Sequence, residues 1–138
     1  MILLKRFLIV ISIFLFASVL LAEMPNCCVE WDKDCCEDLI AKDKAYKEAR
    51  NKAKESKDVD LYIEAAKLAL EYGNNYGAAW QYNNAGYQII LEDNNEGNNV
   101  LMERALKLFK LAKEYDEGKV PGFTAILDKN IKYCELRL

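Results

Sequence analysis

The chain is expected to fold as an all-α protein of about five helices, stacked as antiparallel hairpins behind a signal peptide and a Cys-rich leader. Three observations predict this. Apolar residues recur at helical spacing from residue 38 onward, no segment alternates with period two, and a short motif recurs at long range.

In chain order, Lys5 and Arg6 precede an uncharged run of 16 residues, Phe7 to Ala22, ending at Glu23. A basic start, an apolar stretch and a small residue before the first acid are the marks of a secretory signal peptide. A spanning helix needs roughly 17–25 apolar residues, so cleavage after Ala22 is preferred over an uncleaved anchor. Residues 23–37 then form the leader, and 38–138 the helical domain. The segment from Asp38 to Ser56 is rich in Ala, Lys and Glu, with Leu39, Tyr46, Ala49 and Ala53 on one side. Ser56 to Asp60 offers N-cap acceptors for a second helix carrying Leu61, Ala65, Leu68 and Tyr72, which Gly73 ends. A third helix over 78–91 carries Trp80, Tyr87 and Ile90, and the polar insert around 92–99 interrupts the chain. The fourth has Leu101, Ala105, Leu108, Ala112 and Tyr115 in unbroken 4-3-4-3 spacing. After Pro121 and Gly122 a fifth carries Leu127, Ile131, Cys134 and Leu138.

Leu68-Ala-Leu-Glu-Tyr72 recurs as Leu111-Ala-Lys-Glu-Tyr115, 43 residues later. Tyr46, Trp80 and Phe123, separated by 34 and 43 residues, keep the same register once the insert is allowed for. Ala105, Phe109 and Ala112, and more faintly Tyr62, Ala66 and Ala69, carry a small-aromatic-small pattern in the second helix of each unit. With Trp80 and Tyr87 in a first helix, residues 43–138 resemble the tetratricopeptide repeat family, with the Sel1-like repeat a close alternative. The resemblance implies repeats at 43–76 and 77–119 and a terminal helix at 120–138. Asn83 and Asn84 stand where the family has Leu and Gly, and no proline closes the first repeat. Stacking also has a physical motive, because an amphipathic helix cannot bury its stripe alone.

The function implied is protein or peptide binding, with a groove lined by the first helix of each hairpin. Lys44, Lys47, Asn51, Gln81 and Gln88 are the candidate groove contacts. In the family, a lysine and an asparagine at the places of Lys47 and Asn51 help clamp a peptide carboxylate. The remaining clamp positions are occupied by Tyr82, Pro121 and Ala125.

The 138 residues contain no histidine, which removes Ser-His-Asp and Cys-His catalysis and the usual zinc-hydrolase ligand sets. No carboxylate pair sits among apolar residues in a way suited to acid–base work, so no enzyme is expected and no cofactor is assigned. Loss of the signal removes two cations and no acid, shifting the net charge from −3 to −5. That sign disfavours nucleic acid as a partner; a membrane enters only if the N-terminal segment stays uncleaved. The expected location is extracytoplasmic, periplasmic or secreted.

Four of the five cysteines cluster at Cys27, Cys28, Cys35 and Cys36. Behind a signal peptide, disulfides are the default for such a cluster, and adjacent cysteines pair poorly. Links from Cys27 or Cys28 to Cys35 or Cys36 are therefore expected. They require residues 28–34 to form a loop, whose closure contributes ~2.5 kcal/mol. A redox or metal-handling protein using these thiols is the runner-up function. Cys134 is read as a buried thiol, with a bridge to the leader as the alternative. In the insert, Glu92, Asn94, Glu96, Asn98 and Glu103 around Gly97 have calcium-loop spacing; the competing reading is a polar loop.

Overall fold

The computed structural model describes residues 33–94 and 96–138. They form five helices: α1 Lys33–Ser56, α2 Val59–Glu71, α3 Asn75–Asp93, α4 Asn99–Tyr115 and α5 Pro121–Glu135. Among the described residues there is no strand, and the fold class is all-α. The segment 1–22 and both Cys27 and Cys28 lie outside the described residues. The chain divides after Ile40 into two compact units. Of the first, only residues 33–40 at the start of α1 are described; the second, 41–138, holds the rest of α1 and all of α2 to α5.

α1 begins five residues earlier than its apolar pattern suggests. Cys35 and Cys36 lie in its opening turns. Lys33 and Asp34, expected in a loop, are therefore helical. Alternating charge supports this surface-rich helix through i,i+4 pairs, Asp43 with Lys47 at 2.6 Å and Lys44 with Glu48 at 3.9 Å.

The starts of α2, α3 and α4 each have a side-chain cap. Asp58 caps α2, accepting from the N–H groups of Asp60 and Leu61 at 2.8 and 3.0 Å. Gly73 ends α2 with φ +82°, and the Asn74 N–H returns to the Ala69 carbonyl at 2.9 Å. Asn74 then caps α3 through Gly77 N–H at 2.7 Å, which starts α3 three residues before the expected position. Asn98 caps α4, and Pro121 opens α5, where its missing N–H has no partner to lose.

Side-chain contacts fix the helix directions. The Tyr72 hydroxyl at the end of α2 meets Asp43 near the start of the second unit. Tyr82 in the first half of α3 stacks on Tyr115 at the end of α4, centroids 6.0 Å apart. On α4, Lys113 pairs with Asp128 and Lys110 with Glu135 at 3.5 Å. Successive helices are thus antiparallel, while α3 and α5 run alongside each other. There Trp80 stacks on Phe123 at 4.2 Å, and Asn130 donates to the Asn83 side-chain oxygen at 2.9 Å.

The core is made largely of alanine. Ala65, Ala66 and Ala69 of α2, Ala78, Ala79 and Ala85 of α3, and Ala105 and Ala112 of α4 are wholly buried. Small side chains let helix backbones approach, and a few large residues fill what remains: Phe109, Phe123, Ile89, Met102 and Leu127. The expected apolar stripe of α3 is displaced. Tyr87 is exposed and Trp80 and Ile90 only partly covered, whereas Ala78, Tyr82, Ala85 and Ile89 are buried. α3 is packed from both sides, by α2 and α4, so its small residues go inside and part of its bulky face is left out.

Candidate functional site: a cationic groove between α1 and α3

Three elements bound an open groove of about 590 Å³. α1 supplies Arg50, Asn51 and Lys54, which share a face by their three- and four-residue spacing. Lys57 extends this row from the turn. Tyr62 of α2 closes one side, and α3 supplies Gln81, Asn84, Tyr87, Gln88 and Leu91.

The turn residue is unusual. Lys57 adopts a left-handed φ of +56° in the place after α1 where glycine is favoured. A side chain there costs about 1–2 kcal/mol of backbone energy, and this one lines the groove.

Charge in the groove is one-sided. Among the described residues, three cations line it and no carboxylate does, although the chain carries 22 acids against 19 cations. Arg50 also lies 5.7 Å from the centroid of the Tyr46 ring. Beside the cations, Tyr87 and Leu91, one helical turn apart, are each 52% exposed. They form an apolar shelf on an otherwise polar surface.

Gln81 sits at the base. It is 3% exposed; its Nε2 donates to the Tyr46 hydroxyl at 3.3 Å, and its buried Oε1 has no partner among the described residues. An orphaned buried acceptor costs about 1–3 kcal/mol, and native structures seldom leave one.

Of the five residues expected to line a groove, Asn51, Gln81 and Gln88 do so together. Lys44 and Lys47 lie outside the lining. Their ammonium groups are paired with Glu48 and Asp43 on α1 itself. Arg50, Lys54 and Leu91 join the groove without having stood out in the sequence, and Asn84 and Tyr87, noted there only for the repeat pattern, join it as well. The four-residue steps Arg50–Lys54 and Asn84–Gln88 signal them once α1 and α3 are set face to face.

Asp43 has a structural task. It accepts the Tyr72 hydroxyl at 3.0 Å, and that hydroxyl accepts from Asn74 Nδ2 at 2.7 Å. This joins α1 to the α2–α3 turn. Burial, and then the Asp43 carboxylate, push the Tyr72 phenol up to about 12; the Asn74 hydrogen bond opposes them. With the folded value above the ordinary one of 10.0, stability from this group is complete below pH 10 and lost as pH rises from 10 to about 12. Urea midpoints measured across that window should fall less steeply in Tyr72→Phe than in the parent. An unchanged slope would show that Tyr72 keeps an ordinary pKa. Tyr62 and Tyr82 are raised by burial as well, so part of the alkaline loss should remain.

A single carboxylate ties together the insert between α3 and α4. The buried Asp93 carboxylate accepts from Gly97 and Asn98 N–H groups at 3.0 and 2.9 Å. The Asn98 side-chain oxygen is committed to capping α4, through Val100 and Leu101 N–H. Among the described residues no group of three or more His, Cys, Asp or Glu is placed to hold a metal.

Cys134 is a buried free thiol. Burial pushes its pKa up, with Arg137 opposing and Glu135 assisting, which makes it a poor nucleophile. Among the described residues no helix is long and apolar enough to cross a membrane.

Fold and groove define the class of protein: an all-α helical domain with a cationic, carboxamide-lined groove. No family model, curated protein or solved structure matches the chain.

Proposed function

We propose that the chain is an exported protein- or peptide-binding module that engages its partner through the α1–α3 groove. The observation that supports this reading best is the groove itself, which places Asn51, Gln81 and Gln88 beside an exposed apolar shelf at Tyr87 and Leu91. Pockets of a few hundred Å³ with apolar walls and a few convergent polar groups are the usual form of a binding site. The described lining holds no serine, cysteine, histidine or carboxylate, which supports a non-catalytic reading.

Within the same proposal, residues 43–138 are a divergent tetratricopeptide-like array, or the related Sel1-like type. That part of the reading rests on the small-aromatic-small pattern of Ala105, Phe109 and Ala112 and on the 43-residue recurrence of Leu68–Tyr72 in the sequence. The basic and apolar pattern of residues 1–22 supports export. Bridges from Cys27 or Cys28 to Cys35 or Cys36 would tie the leader to the start of α1.

The test is affinity capture from the extracytoplasmic fraction of the native host, comparing the parent with Asn51→Trp. Asn51 is exposed and lines the groove, so the indole fills the groove without entering the core. A partner enriched by the parent and lost in the variant is the expected result. Capture of the same proteins by both would remove the groove from the function.

A further inference from the structure

We infer that the groove receives an extended acidic peptide segment, its carboxylates held by Arg50, Lys54 and Lys57 and its backbone by the carboxamides of α3. The inference rests on the peptide-binding reading above and specifies the ligand's chemistry.

Charge complementarity supplies the sign. The three cations are exposed and line one groove. Elsewhere on α1 the cations Lys44 and Lys47 are paired with acids of their own helix. Among the described residues no carboxylate lines the groove to compete for Arg50 and Lys54; Lys57, at the groove's end, also borders a neighbouring cleft that holds Asp58, Asp60 and Glu92. A like-charged or neutral segment would leave that concentration of charge uncompensated.

The carboxamides supply the form. A small inorganic anion needs only donors, which the cations already provide. Asn51, Asn84, Gln81 and Gln88 each carry both a donor and an acceptor, the pairing that alternating N–H and C=O groups of an extended chain require. Gln81 gives the independent sign that something is missing. It is nine-tenths buried at the base of the groove, and its Oε1 has no partner among the described residues. An orphaned acceptor calls for a donor, which a backbone N–H of an extended segment supplies and a carboxylate or inorganic anion does not. The Tyr87 and Leu91 shelf adds a place for one apolar side chain of the segment.

The probe is acetyl-Glu-Glu-Leu-Glu-Glu-Phe-amide, titrated calorimetrically into the chain as purified from the expressing cell. Its blocked ends mean that only side-chain carboxylates carry charge. The Gln-for-Glu version should bind at least about tenfold more weakly, and binding of the acidic peptide should weaken severalfold as salt shortens the screening length. Lys54→Glu/Lys57→Glu should weaken the acidic peptide by at least about tenfold, with the circular dichroism spectrum unchanged because both side chains are exposed. Lys129→Glu, an exposed cation on α5, should leave it unchanged. Equal affinity for the Gln peptide, no binding of the acidic peptide, or indifference to the double charge reversal would each overturn the inference. If the Gln peptide binds and Asn51→Trp blocks it, the groove reading stands and only the acidic specificity fails. If no peptide binds and Asn51→Trp captures the same proteins as the parent, the peptide-binding reading fails with it.

Discussion

Phe109→Ala is expected to lower the unfolding free energy by about 3–5 kcal/mol, the range for emptying a buried aromatic site. Phe109 is wholly inaccessible in α4, between the turns that carry Ala105 and Ala112, and Gly86 of α3 abuts its ring. The surrounding alanines have no longer side chains with which to refill the space. Collapse would have to move helix backbones, which places the cost toward the upper end. For a unit of about a hundred residues, where each kcal/mol shifts the melting temperature by about 4–8 °C, this is a fall of more than ~12 °C. Urea unfolding followed by circular dichroism measures it. A loss below ~1 kcal/mol would show that α3 and α4 are not held together through this ring.

Gly86→Ala is expected to destabilise by about 1–3 kcal/mol, against the direction that helix propensity alone predicts. In an exposed helix interior the same change would gain about 1 kcal/mol. Here a Cβ on residue 86 would lie 2.8 and 2.9 Å from Phe109 Cε1 and Cζ. An aromatic ring locked in a core has little room to withdraw, and overpacking of this kind costs about 1–3 kcal/mol. The clash names its own suppressor. Leucine at 109 removes ring atoms where the new methyl arrives, so Gly86→Ala/Phe109→Leu should be more stable than the sum of its single changes by at least ~0.5 kcal/mol. Additivity of the two would mean that the methyl group meets something other than Phe109.

The two substitutions also mark where sequence patterns stop being informative. The 4-3-4-3 spacing of α4 exposes its buried face directly, and Ala105, Leu108 and Ala112 are indeed buried. α3 is harder, because a helix packed by neighbours on two sides has no single stripe. Its Ala and Gly residues carry little periodic signal, while its aromatics, Trp80 and Tyr87, point to a face that is only partly covered. α1 extends beyond its legible pattern because its opening turns hold the cysteine pair and few other apolar residues.

The groove shows the same division. Asn51, Gln81 and Gln88 are legible as members of a common surface, since each falls on the first helix of a hairpin. The assignment of Lys44 and Lys47 to that surface depends on which side of α1 turns inward. Buried Tyr46 and Ala53 fix that rotation, and it places Arg50 and Lys54 on the groove while leaving Lys44 and Lys47 to pair along the helix. Likewise, of the oxygens spaced as in a calcium loop, that of Asn98 caps α4, while the neighbouring Asp93 carboxylate, not in that set, ties the insert through the Gly97 and Asn98 N–H groups.

By itself, then, the sequence determined the all-α class and most helix boundaries, because periodicity, Gly73 and Pro121, and the Asp and Asn caps act within a few residues of chain. The tertiary structure decided which face of each helix is buried, where the cations gather and which polar atom is left without a partner. Those properties depend on the rotation and approach of helices distant in sequence, and here alanine and glycine set that approach by occupying almost no space.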